Sequence, residues 1–226
     1  MLNQNAKKIL SYSSAILSYE LLLTWVYPTL AKSPAVAEIA ENFPAPVKSV
    51  FGVSSEANLN SFEAYISGQF FSRIWALLMS VYGVSTAGNL LAELIDRGFM
   101  VFPLSSPLSR KEIVDTQIGV FLTGLAGITG FTLAGILAGT ALFEIKINRW
   151  RYFRLSLLGF SFFSAIGAYS IFFSVWSDNQ EEATLYSAGL TLIFYVLDVI
   201  AGLDNGFKSL KYLTLFELFK PQSLGG

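Results

Sequence analysis

Three ionisable residues, Glu20, Arg73 and Asp198, lie inside stretches of sequence that are otherwise apolar. A charge at the centre of a bilayer costs about 2.5–3.5 kcal/mol on insertion scales, so such residues pair with one another or line a polar route. If the apolar stretches end near 27, 70 and 203, a rise of about 1.5 Å per residue puts the three about 10, 5 and 8 Å below one membrane surface, where they can meet. An ion pair inside a helical bundle is the structural reading; a polar spot on a substrate route is the functional one. A second concentration of charge begins at Glu93-Leu-Ile-Asp96-Arg97-Gly98 and ends at Ser106-Pro107-Leu108-Ser109-Arg110-Lys111-Glu112. Its acids and bases flank the apolar run Phe99-Met100-Val101-Phe102. A hydrophobic anchor with a charged rim suits contact with a partner protein.

Catalytic chemistry has little to work with. The chain holds no His and no Cys, which excludes His-ligated haem, Cys or His zinc sites, disulfides, thiol catalysis and a Ser-His-Asp triad. No metal site is expected. Gly83-Val-Ser85-Thr-Ala87 loosely resembles a nucleophile elbow, but it falls in an apolar helix and has no His as base, so helix packing explains it better. Gly202-Leu-Asp-Asn-Gly206-Phe-Lys208-Ser209 has the wrong spacing for a phosphate-cradling loop, so the chain is not expected to hydrolyse ATP itself. A net charge of −1 argues against a nucleic acid partner, whose phosphates demand a clustered basic face.

The elements that must position these residues are membrane helices. Hydrophobic residues make up 53% of the 226 and charged ones 14%, against about 25% charged in an average soluble domain. The mean hydropathy is +0.54. Five apolar stretches, near 9–27, 70–92, 118–143, 155–176 and 184–203, are long enough to cross a hydrocarbon core of about 30 Å as helices. Unbroken apolarity does not fit the alternating strands of a membrane barrel. The expected fold class is therefore all-α, a polytopic transmembrane helical bundle forming one domain over 1–226.

A signal peptide is a poorer account of the first stretch. Its apolar run is too long, it contains Glu20, and Pro28 separates it from Ala35-Val36-Ala37. Residues 28–69 form the longest connection, punctuated by Pro28, Pro34, Pro44 and Pro46, with short apolar-periodic pieces suited to the membrane surface. Asn60 and Glu63 predict an N-cap with its capping-box partner at the start of the second helix. The third stretch carries Gly135 and Gly139 on one face, a small-residue pair for close helix contact. From Asp204 onward, Lys208, Lys211, Glu217 and Lys220 alternate with Phe207, Leu210, Leu213, Phe216 and Phe219, which predicts an interfacial amphipathic helix rather than a sixth span. Basic residues give the orientation an internal conflict. With the N-terminus inside, Lys7, Lys8, Arg97, Arg110 and Lys111 are inside, and Lys32, Lys48, Lys146, Arg149, Arg151, Arg154, Lys208, Lys211 and Lys220 are outside. A simple positive-inside count favours the opposite orientation, although the first helix often dominates.

Residues 93–110 resemble the permease subunit of a bacterial type 2 ATP-binding cassette exporter. That family carries acids, then Arg or Lys, Gly, a mostly apolar turn and a Ser/Thr-Pro-x-Ser-Arg string after its second span. The matches are Glu93, Asp96, Arg97 and Gly98, then Ser106, Pro107, Ser109 and Arg110, with Thr116-Gln117 also similar. Phe62-Glu63-Ala-Tyr65-Ile-Ser67-Gly68-Gln69-Phe70 resembles the family's entry into that span. Two departures stand out: Phe102-Pro103 falls where relatives continue a helix, and no sixth span follows before Gly226.

The resemblance implies a multi-pass protein of the bacterial cytoplasmic (inner or plasma) membrane that exports an unidentified substrate, such as a drug, a peptide or a lipid-like molecule. It implies separate ATPase subunits that bind ATP and Mg, no cofactor on this chain, and a second copy or homologous permease as partner within the lipid bilayer. The loop after the second span, 93–117, would be cytoplasmic and dock on the ATPase. Glu93, Asp96, Arg97, Gly98, Phe99, Phe102, Pro107, Ser109 and Arg110 would then carry coupling, not catalysis, with the N-terminus inside and 28–69 outside. The alternative is a non-transporting membrane scaffold or assembly subunit with no ATPase; an intramembrane enzyme would have to rely on Asp chemistry.

Overall fold

A computed structural model describes residues 2–31, 61–88, 92, 110–203, 209–210, 212–219 and 221. The described residues contain helices and no strand. In chain order they form α1 (Leu2–Ala31), α2 (Phe62–Ile66), a π-helical stretch (Ser67–Trp75), α3 (Ala76–Ala87), α4 (Arg110–Leu142), α5 (Arg149–Trp176), α6 (Gln180–Leu203) and a 3-10 turn (Leu215–Leu218). Four segments, Ala6–Thr29, Lys111–Leu142, Arg149–Trp176 and Gln180–Ala201, are long and apolar enough to cross a membrane. They coincide with four of the expected stretches. The remaining one, near 70–92, is divided between the π-helical stretch and α3, and its residues 89–91 lie outside the described residues.

Helical backbone is nonetheless continuous over 62–87, because the residues at both junctions, Ser67 and Trp75, keep right-handed helical dihedrals. The wide turn shows in the hydroxyl of Ser72, which donates to the carbonyl of Ser67, five residues back, at 2.8 Å. In such a turn residues five apart lie above one another. Tyr65, Phe70 and Trp75 form one such row and Ile66, Phe71 and Ala76 another, and all six are buried. An ordinary helix would fan these rows around its circumference; the π turn gathers them onto the core side.

Contacts show that the helices alternate in direction. Tyr12 meets Tyr82, Tyr19 meets Phe70 and Tyr27 meets Phe62, so α1 and 62–87 are antiparallel. Trp75 donates its Nε1 hydrogen to Thr132 Oγ1 at 3.0 Å, while Tyr82 stacks with Phe121, so α4 reverses again. Phe71 meets Tyr152 and the backbone N–H of Ala92 donates to Ser174 Oγ at 3.0 Å, which runs α5 parallel to 62–87. Phe173 meets Tyr186 and Tyr169 meets Phe194, which turns α6 back. The start of α1, the end of α3 and the 177–179 turn therefore share one end of the bundle. The 143–148 connection and the start of α2 share the other.

Several local expectations are corrected. Ser61, not Asn60, caps α2: its backbone is extended and its Oγ accepts from the N–H of Ala64 at 3.2 Å. Ser caps as well as Asn does, so composition alone does not choose between neighbours. Pro28 lies inside α1, which continues to Ala31. Arg149, Arg151 and Arg154 belong to the first turns of α5 rather than to a loop, because Asn148 accepts from the N–H of Trp150 at 3.2 Å and starts the helix there. The tail, among the described residues, is not a long surface helix. In the short 3-10 turn, side chains three apart eclipse, and Phe216 and Phe219 at that spacing both pack on Phe162. Phe219 is buried against Trp75 and Phe163 as well.

Candidate functional site

Several polar groups converge on an apolar wall between the 62–87 run and α6. A cleft of about 580 Å³ opens there, within the range of small-molecule sites. Leu77, Val81 and Val84 of α3 face Leu192 of α6, and Phe216 of the 3-10 turn also lines the cleft. Hydroxyl groups dot this surface: Ser72 from the π-helical stretch, Ser80 and Ser85 from α3, and Thr184, Thr191 and Tyr195 from α6. Among its described lining residues there is no acid or base.

Sequence spacing explains why these groups share one wall. Val81, Val84 and Ser85 follow Leu77 at helical intervals of three and four, and Thr184, Ala188, Thr191 and Tyr195 do the same on α6. Most of the hydroxyls are engaged locally. Thr191 donates to the carbonyl of Ser187 at 2.7 Å and meets the Tyr169 hydroxyl. Ser72 donates within the π turn. Thr214 donates to the carbonyl of Phe194 at 2.7 Å, tying the 3-10 turn to α6 beside Phe216. Ser80 differs. It is 7% exposed and its Oγ has no hydrogen-bond partner among the described residues. A buried unpaired hydroxyl costs about 1–3 kcal/mol, and a ligand atom in the cleft would remove that cost.

The intramembrane ionisable residues fall on different elements. Glu20 lies on α1 and is fully buried, with both carboxylate oxygens lacking a hydrogen-bond partner among the described residues. It faces Gly135 of α4, where an added Cβ would come within 2.9 Å of Oε2 and 2.6 Å of Leu17 Cδ1. Gly139, one turn on, lies against Leu21 and Thr24. The expected small-residue pair is thus the seat of α1, and its first glycine makes room for the carboxyl group. Arg73 belongs to the π-helical stretch, and its side chain is outside the described residues. Asp198 is half-buried on α6. Glu93, Asp96, Arg97, Gly98, Phe99, Phe102, Pro107 and Ser109 lie outside the described residues, and Arg110 opens α4. Among the described residues no three acidic side chains come together to hold a metal ion.

The cleft itself was not anticipated from sequence. Its one available signal was the run of Ser and Thr at helical spacing in 72–85 and 184–191, which is indistinguishable from ordinary small-residue packing until the partner helix is placed. No family model, curated protein or solved structure matches this chain. The class defined by the described residues is an all-helical bundle of membrane-crossing character.

Proposed function

We propose that this chain is the transmembrane permease subunit of a bacterial type 2 ATP-binding cassette exporter, with five spans and its N-terminus in the cytoplasm. The observation that carries the proposal is the ordered string Glu93, Asp96, Arg97, Gly98, Ser106, Pro107, Ser109 and Arg110 between α3 and α4. Two structural features support it. The 62–87 run packs antiparallel to α1 and α4, as a fifth pass would, and the end of α3 and the start of α4 lie at the same end of the bundle as the start of α1. A lateral cleft with neutral hydroxyls on an apolar wall suits an uncharged amphiphile as the exported molecule.

In this reading the permease binds no ATP. Energy arrives by contact with a separate ATPase, which holds ATP and Mg, and a second permease copy completes the assembly. Only differential contact with two states of the ATPase can shift the permease between conformations. Phe99 and Phe102 anchor the contact; Glu93, Asp96, Arg97 and Arg110 fix its register. The test is co-purification of the ATPase with measurement of substrate-stimulated turnover. Phe99→Ala combined with Phe102→Ala is expected to release the ATPase, and Arg97→Glu to leave it bound but uncoupled. An ATPase retained with unchanged turnover in both variants removes the coupling role. Orientation is checked separately with single cysteines at Ser33 and Ser109 and an impermeant thiol reagent on intact cells. Ser33 is expected to label and Ser109 not to; the reverse pattern overturns the exporter reading.

A further inference from the structure

The first turns of α5 concentrate cations, and three in or just before them pair with no acid among the described residues. Lys146, Arg149 and Arg154 are exposed, and none of the three makes an ion pair among the described residues. The whole of α5, Arg149–Trp176, contains no acid. Basic groups at a helix N-terminus face the positive end of the helix dipole, an unfavourable arrangement in the absence of an outside anion. Glu144, the acid of the preceding connection, is exposed and makes no ion pair among the described residues. Arg151, by contrast, is half-buried and has an interaction partner within the chain.

The same face is apolar immediately below the charges. Trp150 and Phe153 are exposed and their rings stack at 5.3 Å with 18° between planes. Arg149 and Phe153, Trp150 and Arg154, and Phe153 and Leu157 are each four apart, so they form one continuous face. Leu157 and Leu158 extend it, both exposed. At about 1.5 Å per residue, Arg154 lies about 7.5 Å and Leu157 about 12 Å inward of Arg149. Helical side chains lean toward the N-terminus, so the Arg154 guanidinium reaches back toward the level of Arg149 while its stem covers apolar surface. Exposed aromatic side chains at the end of a membrane-length helix suit the membrane–water interface, where Trp and Tyr collect.

We propose that this face, formed by Lys146, Arg149, Trp150, Phe153 and Arg154, binds the headgroup of an anionic phospholipid. The required partner must present an anion at one level and hydrocarbon a few ångströms deeper, in that order. An anionic phospholipid does both in one molecule, with its phosphate between the three cations and its acyl chain along Phe153 and Leu157. A soluble acidic peptide offers the charge without the hydrocarbon. This site is independent of which side of the membrane the end of the bundle occupies and of what the bundle transports.

The experiment uses the full chain, which has no Cys, with a fluorophore on a single cysteine at Leu157, or at Leu192 of α6 as the comparison. The protein is placed in nanodiscs of phosphatidylcholine containing a minor fraction of brominated phosphatidylglycerol or brominated phosphatidylcholine. Phosphatidylglycerol is expected to quench position 157 several-fold more than its bulk fraction predicts, and position 192 in proportion to it. Each cation is worth about fivefold in headgroup binding, so Arg149→Gln with Arg154→Gln should abolish the enrichment. Arg149→Lys with Arg154→Lys should keep most of it, which separates lost charge from lost folding. Equal quenching at both positions, or enrichment that survives the Gln pair, overturns the proposal. Displacement of the brominated lipid by soluble glycerol 3-phosphate would assign the site to a free phosphate and overturn it too.

Discussion

The 62–87 run and α6 face each other across the cleft and meet opposite surroundings. Phe70, Trp75 and Met79 are completely buried, whereas Leu185, Leu192 and Ile193 are 68%, 61% and 56% exposed. Only 11% of the most apolar window of α6 is buried, against 44% for α4. In water this contrast would be a fault, because large apolar patches do not stay uncovered. In a bilayer, lipid tails are as apolar as Leu, and burial follows packing shape rather than hydrophobicity. Where aromatic side chains meet glycines, as Trp75 meets Gly159 and Phe121 meets Gly167, helices close on one another. Where leucines and valines point outward without such seats, as on α6, lipid or a second subunit must cover them.

The sharpest way to break this comparison is to truncate the centre of the buried side. Trp75→Ala removes a ring in contact with Phe71, Phe163 and Phe219 and the hydrogen bond to Thr132. It is expected to cost about 3–5 kcal/mol, read as a large fall in the thermal unfolding midpoint in detergent. Leu192→Ala on α6 should stay within about 0.5 kcal/mol of the parent. Comparable losses at both positions would mean that α6 has a protein partner even in detergent.

Glycine substitutions probe the same contrast at smaller scale. Gly135→Ala drives a methyl group into Leu17 and Glu20, and overpacking of this kind costs about 1–3 kcal/mol. Gly189 on α6 has open space within 4 Å of the position of an added Cβ. Gly189→Ala should therefore stabilise the helix by about 0.5–1 kcal/mol. A destabilising Gly189→Ala would show that another chain approaches α6 closely there.

The smallest expected effect falls on the boundary between the two regions. Ser80 is buried without a partner, so Ser80→Ala in the ligand-free protein should leave stability unchanged or raise it by up to about 1 kcal/mol. Under the proposed exporter function, loss of substrate-stimulated ATPase turnover in that stable variant would tie the hydroxyl to a molecule in the cleft. A fall in stability would instead mean that the Ser80 hydroxyl has a structural partner.

The sequence by itself determined which segments are helical and apolar, because both properties follow from local composition and from a period that neighbouring residues set. Four membrane-length helices lie where continuous apolarity placed them, and Gly135 and Gly139 seat a neighbouring helix as their four-residue spacing required. The absence of His and Cys was equally plain. The tertiary structure alone decided which faces meet. Neither Phe216 nor Phe219 carries a local sign that the chain turns back into the bundle, since an amphipathic surface helix would use the same residues. The π turn at Ser67–Trp75 is favoured because two rows of buried side chains, each spaced five residues apart, find a common wall, a gain that exists only once α1, α4 and α5 supply it. The cleft likewise required two helices distant in sequence to stand opposite one another. Within apolar surroundings every helix face looks alike in one dimension, and only the shape of the neighbour separates core from lipid-facing surface.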